Sequence, residues 1–193
     1  MPEIRVVVGL GNPGPRYAPT RHNIGFRLLD VLTREMKAGP ERAEAGYRVS
    51  WAMEGETRVA LLRPTTMMNR SGDALLGFPE SAAAGPVGHL VVLDDAALPF
   101  GAIRFRARGS AGGHRGLESI LDRLGTEEVP RRRVGVGGAP EGRDLREYVL
   151  EPFAPDEEAA IGPWLEAAAA GVRIFLSEGP ETAMNRFNVP RTT

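Results

Sequence analysis

The sequence contains no cysteine, which excludes disulfide bonds, thiolate zinc sites, iron–sulfur clusters and a cysteine nucleophile. It has no apolar run near the ~18 residues that a membrane-spanning helix needs, and an acid precedes the short apolar run at its N-terminus, unlike in a signal peptide. Neither charge is in large excess, because 24 basic side chains stand against 25 acidic ones. These features predict a cytoplasmic protein with no membrane partner, and 193 residues suit one domain with a sizeable core.

Lysine is almost absent as well, so nearly all the positive charge is carried by arginine. The arginines are unevenly spread, and the chain from Glu147 onward is mostly acidic. A local basic field on a nearly neutral protein suits one polyanionic ligand on one face, although charge alone favours the alternative of a solvated arginine-rich surface. The clustered arginines are Arg104, Arg106, Arg108, Arg115, Arg123, Arg131, Arg132 and Arg133.

The hydrophobic pattern alternates between strands and helices. Predicted strands are Ile4–Val8, Tyr47–Met53, Thr57–Leu62, His89–Leu93, Ile103–Arg106 and Val134–Val136. Predicted helices begin near residue 20, at Ser71, near Leu117, at Ala154 (a long helix that Gly162-Pro163 could divide) and at Glu181. This order predicts an α/β fold: a single globular domain over residues 1–193, with a mixed, mostly parallel twisted sheet and helices on both faces.

The segment Gly9–Gly14 satisfies G-x-G-x-x-G after a strand, so a dinucleotide site has to be considered. In such a site the helix begins within the glycine motif and presents its N-terminus to the pyrophosphate. Here three prolines delay the helix to about residue 20. We therefore interpret the match as accidental and the segment as a tight turn in which Asn12 is the residue of interest.

The segment Thr20–Gly25 contains one of only three histidines in the chain. Thr20 or Asn23 can cap the following helix, which places His22 before or within its first turn. The positive end of the helix dipole disfavours an imidazolium there, and a neutral imidazole is a competent general base. The alternative is a histidine that only decorates a helix start.

Two polar segments follow predicted strands. Asn69, in Arg63–Gly72, can present both a donor and an acceptor where α/β folds place ligand crevices, or it can belong to a simple capped loop. Asp94 and Asp95 end a buried strand, and because neighbouring strand residues point to opposite faces only one of them can orient a histidine. A solvated acidic turn is the alternative. The sequence shows no ligand set for a metal.

The glycine-rich segment Arg104–Ile120 leads from an arginine-bearing strand into a helix N-terminus. Backbone N–H groups, the helix dipole and guanidinium groups together favour an anion site, with His114 and Arg115 on its rim. A flexible loop that needs glycine for close packing is the alternative. Three independent features favour the phosphate interpretation.

Taken together, these blocks resemble the bacterial peptidyl-tRNA hydrolase family. The resemblance is carried by GLGNPGPRYAPTRHNIG, RPTTMMNRSG, VVLDDAALPFG, GSAGGHRGLESI, RRRVGVGGAP and YVLEPF, in this order, and it covers almost the whole chain. It implies hydrolysis of the ester between a peptide, or an N-blocked amino acid, and tRNA. It also implies a monomer without cofactor or metal, whose partner is peptidyl-tRNA.

The resemblance implies roles for individual residues. The catalytic base falls on His22 and its aspartate on Asp94, with the two asparagines of the site at Asn12 and Asn69. Substrate-binding positions fall on Tyr17, Met67, Asn69, His114 and Arg115, and the clamp for the tRNA 5′-phosphate falls on Arg106 and Arg133. Four departures are Met67 in place of an aromatic, Arg115 in place of an asparagine, Leu93 in place of a histidine and Ala97 in place of an aspartate.

Two other functions remain as alternatives at this point. One is an enzyme that uses a nucleotide cofactor through Gly9–Gly14, against which the delayed helix argues. The other is a non-catalytic RNA-binding protein on the same fold. The presence of both His22 and Asp94 favours catalysis.

Overall fold

The computed structural model describes residues 3–188, and within that range it contains one seven-stranded sheet and six α-helices. The strands are β1 (Ile4–Gly9), β2 (Arg42–Glu44), β3 (Tyr47–Glu54), β4 (Thr57–Pro64), β5 (His89–Asp95), β6 (Ile103–Arg106) and β7 (Arg131–Gly135). The helices are α1 (Ile24–Glu35), α2 (Asp73–Leu76), α3 (Glu80–Ala84), α4 (Arg115–Leu124), α5 (Leu145–Val149) and α6 (Pro155–Phe187).

The sheet has the order β2-β3-β4-β1-β5-β7-β6. Its four central strands, β4, β1, β5 and β7, are parallel to one another, whereas β2, β3 and β6 pair antiparallel at the two edges. The predicted mixed α/β sheet is therefore confirmed, with the β3–β4 hairpin supplying antiparallel pairing. Because the central strands are parallel, their carboxyl ends meet at one edge, where ligands bind in folds of this class.

The core has two halves, one on each face of the sheet. Alternation along β1 sends Val7 into one half and both Val6 and Val8 into the other, and all three side chains are fully buried. Helices α1 and α6 cover the first half, and α2 and α4 cover the second. Helices on both faces explain why the strand sequences are continuously apolar rather than alternating.

Close packing of α1 against the sheet explains the glycines of the first motif. A Cβ on Gly25 would lie 2.5 Å from the carbonyl oxygen of Leu10 and 2.7 Å from that of Val92, so only glycine lets the start of α1 approach both strands. A Cβ on Gly9 would in turn lie 2.6 Å from the carbonyl oxygen of Gly25. The glycines serve helix packing, and the start of α1 is delayed even further than the predicted residue 20, to Ile24, after a 3₁₀ turn at Arg21–Asn23.

The structure differs from the sequence predictions at several boundaries. Strand β2 and helices α3 and α5 are additional short elements that carry too few residues to show a period. Strand β7 begins at Arg131 instead of Val134. Its first three residues are arginines, which give no apolar strand pattern in the sequence, although two of them are buried. Helix α6 continues through Pro163 and is broken instead at Gly179, which has φ 86° and precedes Pro180.

By length and composition alone, α6 would qualify as a membrane span. Half of its most apolar stretch is buried within the protein, where residues such as Leu165, Val172 and Phe175 pack in the core against the sheet. This pattern is typical of a core helix.

The histidine at position 89 is fully buried at the start of β5, far along the strand from its carboxyl end. Its ring nitrogens contact the hydroxyl of Ser81 at 2.9 Å and the carbonyl oxygen of Gly85 at 2.7 Å. Burial lowers the pKa of His89 because the charged form loses water, so the ring is neutral and structural.

Candidate active site

A cavity of about 470 Å³ opens at the carboxyl ends of the central strands. Its volume lies in the range of small-molecule sites. The residues that line it come from the loop after β1, the turn after β4, the end of β5, the start of α4, strand β7 and helix α5. Those singled out by the sequence are Asn12, His22, Met67, Asn69, Asp94, His114, Arg115 and Arg133.

His22 lies on a short 3₁₀ turn, Arg21–Asn23, immediately before α1. The expected side-chain caps of the helix are not formed: Thr20 Oγ donates to the carbonyl of Tyr17, and Asn23 Oδ1 accepts the backbone N–H of Asn12 at 2.8 Å. The Asn23 amide also donates to the Asn12 carbonyl at 2.9 Å. Asn23 therefore ties the turn that bears His22 to the turn that bears Asn12.

Arg21 anchors the other side of this turn. Its guanidinium donates to the carbonyl of Pro152 and pairs with Glu157 in the first turn of α6, and it stacks 4.3 Å from the ring centre of Tyr148. The side chain is almost completely buried. Sequence reasoning missed both Arg21 and Asn23 as supporting residues, although their position on either side of His22 was a usable signal.

Asp94 faces the cavity from the end of β5 and is buried. Its Oδ1 lies 2.8 Å from His22 Nδ1 and 2.9 Å from His114 Nε2. Burial alone would raise the pKa of the Asp94 carboxyl, but the two imidazoles outweigh it, so that the pKa lies well below its ordinary value. Asp94 is therefore a carboxylate at neutral pH.

Asp95 points elsewhere, as alternation along a strand requires. Its Oδ1 accepts the backbone N–H of Ala97 at 2.9 Å, and its Oδ2 pairs with Arg133 Nε at 2.8 Å. Only the first carboxylate of the pair can thus act on a histidine, and the second holds an arginine at the cavity.

His114 lies deeper than the rim position expected for it. Its Nδ1 accepts the backbone N–H of Leu117 at 3.2 Å, which makes His114 the side-chain cap of α4. A nitrogen that accepts this bond carries no proton, so the proton of the neutral ring is on Nε2 and is donated to Asp94. The rings of His22 and His114 are 5.1 Å apart.

The three groups His22, Asp94 and His114 lie close enough together to resemble a ligand set for a metal ion. A metal on His114 Nε2 would move the ring proton to Nδ1, where it would face the N–H of Leu117 with two donors opposed. The capping bond of α4 therefore favours hydrogen-bonded protons in this cluster.

Asn12 is buried and its amide has a fixed orientation. The side-chain Oδ1 accepts the backbone N–H of Met68 at 2.8 Å. Since the oxygen is occupied, the group that Asn12 can present to a ligand in the cavity is the donor Nδ2.

The cavity rim contains Met67, Asn69 and Arg115, all exposed. Asn69 and Arg115 also line a neighbouring polar groove along α4. Tyr17 is half-buried in the preceding loop and does not line the cavity, although Arg16 lies 5.7 Å from its ring centre.

The basic residues at the β6–β7 edge of the sheet are divided by strand alternation. Arg133 lines the cavity, and exposed Arg106 lies opposite Arg131 on the same face. Arg131 is buried, and its guanidinium donates to the carbonyls of Gly109 and Ser110. Sequence reasoning missed this role of Arg131 in holding the glycine-rich loop.

The interpretation of the arginine cluster as one solvated surface is wrong for two of its members, because Arg131 and Arg132 are buried. Arg132 points to the opposite face, 4.3 Å from the ring centre of Phe105, and burial lowers its pKa to about 9. Two others are paired with acids, Arg108 with Glu128 and Arg123 with Asp73. Fewer of the clustered arginines are therefore available to bind an anion beside the cavity than the sequence indicates.

Comparison with known proteins places this site in context. A family model described as peptidyl-tRNA hydrolase matches residues 6–193. The peptidyl-tRNA hydrolase of Symbiobacterium thermophilum is 44% identical over 189 residues, which cover 95% of this chain and 98% of that protein. That of Chloroflexus aurantiacus is 47% identical over 189 residues, with the same two coverages. The crystal structure of peptidyl-tRNA hydrolase from Acinetobacter baumannii has a TM-score of 0.87 and 29% identity, covering 98% of this chain and 96% of that one.

These matches span nearly the whole chain and agree with the resemblance seen in the sequence motifs. The alternative of a non-catalytic RNA-binding protein is not supported, since the matched relatives carry the name of a hydrolase. The chain belongs to the peptidyl-tRNA hydrolase family.

Proposed function

We propose that the protein hydrolyses the ester between a peptide and the terminal ribose of tRNA, with His22 as the general base. The observation that supports this role is the 2.8 Å contact of His22 Nδ1 with the buried Asp94 carboxylate. A carboxylate accepts the Nδ1 proton and leaves Nε2 as a free base, in a ring that lines the cavity. The same carboxylate stabilises the imidazolium that forms during the reaction.

The reaction follows from these protonation states. His22 Nε2 takes a proton from a water molecule as its oxygen attacks the ester carbonyl carbon. The tetrahedral intermediate then breaks its bond to the ribose oxygen, which receives the proton from the imidazolium. The products are a tRNA with its ribose hydroxyl restored and a free peptide acid, which releases its remaining proton to solvent and becomes a carboxylate. No cofactor is needed for this balance.

In this proposal the side chains of Asn12 and Asn69 form hydrogen bonds with the acyl part of the substrate or with the attacking water. An amide donor directed at the developing oxyanion stabilises it by about 3 kcal/mol, and Asn69 on the rim can bind either the water or the peptide. Asn12 presents a donor because its oxygen is bound to Met68. A donor can bind the carbonyl oxygen of the acyl group attached to the α-nitrogen of a blocked substrate. It repels the free ammonium group of ordinary aminoacyl-tRNA, which is therefore a poor substrate.

A single-turnover assay with N-acetyl-aminoacyl-tRNA tests this function. We expect cleavage of the blocked substrate and cleavage at least tenfold slower, an order-of-magnitude figure, for the same tRNA with a free α-amino group. Stoichiometric tRNA binding without cleavage of either substrate would favour the RNA-binding alternative and contradict the proposal.

The tRNA itself is proposed to lie on the β6–β7 side of the cavity. Arg133 is held there by Asp95 through Nε, which leaves its terminal nitrogens for a phosphate. Arg106 is exposed on the same face. Because the family acts on peptidyl-tRNA, which translation produces in the cytoplasm, we further propose that the protein works there as a monomer without a membrane partner.

Substitution of the exposed Arg106 tests the proposed position of the tRNA. Arg106→Ala should weaken tRNA binding and reduce the slope of log Kd against log salt by about one unit, because one phosphate contact is lost. Fluorescence titration at several salt concentrations measures this slope. Arg34→Ala, which removes an exposed arginine of α1 that pairs with Glu166 of α6, is the matched control and should leave the slope unchanged. An unchanged slope in Arg106→Ala would mean that this side chain contacts no phosphate.

A further inference from the structure

We propose that His114 is a positioning residue that sets, through Asp94, the pH range in which His22 works as a base. The inference rests on the proposed role of His22 and deepens it. It assigns to His114 a function different from the substrate contact that the family resemblance implied.

The geometry that supports it is the sharing of one carboxylate oxygen by two imidazoles. Asp94 Oδ1 accepts the Nδ1 proton of His22 at 2.8 Å and the Nε2 proton of His114 at 2.9 Å. All three side chains are largely buried, with 15%, 3% and 11% exposure for His22, Asp94 and His114. Bonds of this kind are therefore little weakened by water.

The capping bond directs the Nε2 proton of His114 at Asp94. Because Nδ1 accepts the Leu117 N–H at the start of α4, it carries no proton while this bond is formed, and the ring presents its Nε2 proton to Asp94. His22 has no such restriction in its 3₁₀ turn. Of the two rings bound to Asp94, only that of His22 has a nitrogen, Nε2, without a hydrogen-bond partner among the described residues.

The bond from His114 withdraws negative charge from Asp94 Oδ1. Less of that charge then remains to stabilise the protonated form of His22, so we expect loss of this bond to favour that protonated form. The same bond fixes the rotation of the carboxylate. His114 thereby widens the pH range in which His22 can accept a proton from water.

Other charged groups surround this cluster. Asp95 and Arg133 form a pair on the neighbouring strands, and Arg115 and Arg146 line the cavity from α4 and α5. Arg21, next to His22, is neutralised by Glu157 of α6. All of them are retained when His114 alone is changed, so a difference in pH dependence reports on the bond between His114 and Asp94.

Two substitutions separate the two bonds of His114. In His114→Asn, a short amide keeps the cap on α4 but does not reach Asp94. In His114→Gln, the longer amide can donate to Asp94 in place of Nε2 but caps the helix poorly. Each variant is the control for the other.

The experiment measures kcat/KM for N-acetyl-aminoacyl-tRNA against pH, together with Tm. We expect the acid limb of His114→Asn to move to higher pH by about 0.5–1 unit. In His114→Gln the limb should remain near that of the unmodified protein, while Tm falls by about 2–4 °C because the cap is lost. If His114→Asn leaves the limb in place and only raises KM, His114 is a substrate contact and the inference is wrong.

NMR titration of the His22 ring gives a readout that does not depend on turnover. The chain has three histidines, so the His22 signals are assigned by their absence in His22→Ala. A titration midpoint that rises in His114→Asn supports the coupling, even if His22→Ala were to retain activity and the proposed catalytic role were to fail. A midpoint that is unchanged in His114→Asn overturns the inference.

Discussion

Replacement of His22 by alanine is expected to lower the single-turnover rate on N-acetyl-aminoacyl-tRNA by about 10²–10⁴-fold, the usual contribution of a general base. Water is a poor nucleophile at neutral pH, and of the two imidazoles bound to Asp94 in the described structure, that of His22 has a ring nitrogen available to act as a base in the cavity. The dissociation constant for tRNA should change little, because phosphate binding is assigned to arginines on another part of the site.

Rapid-quench kinetics and a tRNA-binding titration on the same preparation measure these two quantities. A cooperative thermal transition and an unchanged circular dichroism spectrum would show that the variant is folded, since Arg21 and Asn23 on either side of position 22 keep their own hydrogen bonds when the ring is removed. A rate close to that of the unmodified protein would remove His22 from the mechanism.

The second large effect is expected for Asp94→Asn, which keeps the shape of the side chain but removes its charge. A neutral amide neither stabilises the imidazolium nor enforces the tautomer in which His22 Nε2 is free, so kcat should fall by about 10³-fold or more. The reduction should appear in kcat rather than in KM. Serine or alanine at this position would confuse this result with a packing defect.

The same variant is expected to change the response of stability to acid. Because the native-state pKa of Asp94 lies below its unfolded value, its ionised form contributes stability that is complete above about pH 4 and is lost as the pH falls further. Urea unfolding at pH 5 and pH 3 should therefore show a smaller loss of unfolding free energy in Asp94→Asn than in the unmodified protein. An equal loss in both would contradict the assignment of Asp94 as a buried carboxylate.

Much of the fold could be predicted from hydrophobic periodicity. The runs at Ile4–Val8 and His89–Leu93 are strands, and Gly125 ends α4 in a left-handed conformation with φ 68°. Burial on both faces of a parallel sheet produces such unbroken runs. The β7 boundary was missed because Arg132 is buried by stacking on Phe105, a contact between distant residues that no local pattern contains.

The individual residues of the candidate site could be proposed from the sequence, but the contacts between them could not. The family resemblance pointed to His22, Asp94, Asn12 and Asn69, and the structure places all four around one cavity. The sequence could not show that Tyr17 lies outside this cavity or that His114 binds Asp94. Those relations join segments separated by tens of residues, and only the packing of the sheet brings them together.

The sequence by itself determined the alternation of strands and helices, the delayed start of α1 and the chemistry available at each strand end, because these depend on local periods, prolines and residue types. Only the tertiary structure decided which atoms of those side chains are already bound. The occupied oxygen of Asn12 and the capping nitrogen of His114 are the two examples that matter for function. The physical reason is that a buried donor or acceptor without a partner is costly, and for these side chains the partners come from segments that the fold brings together.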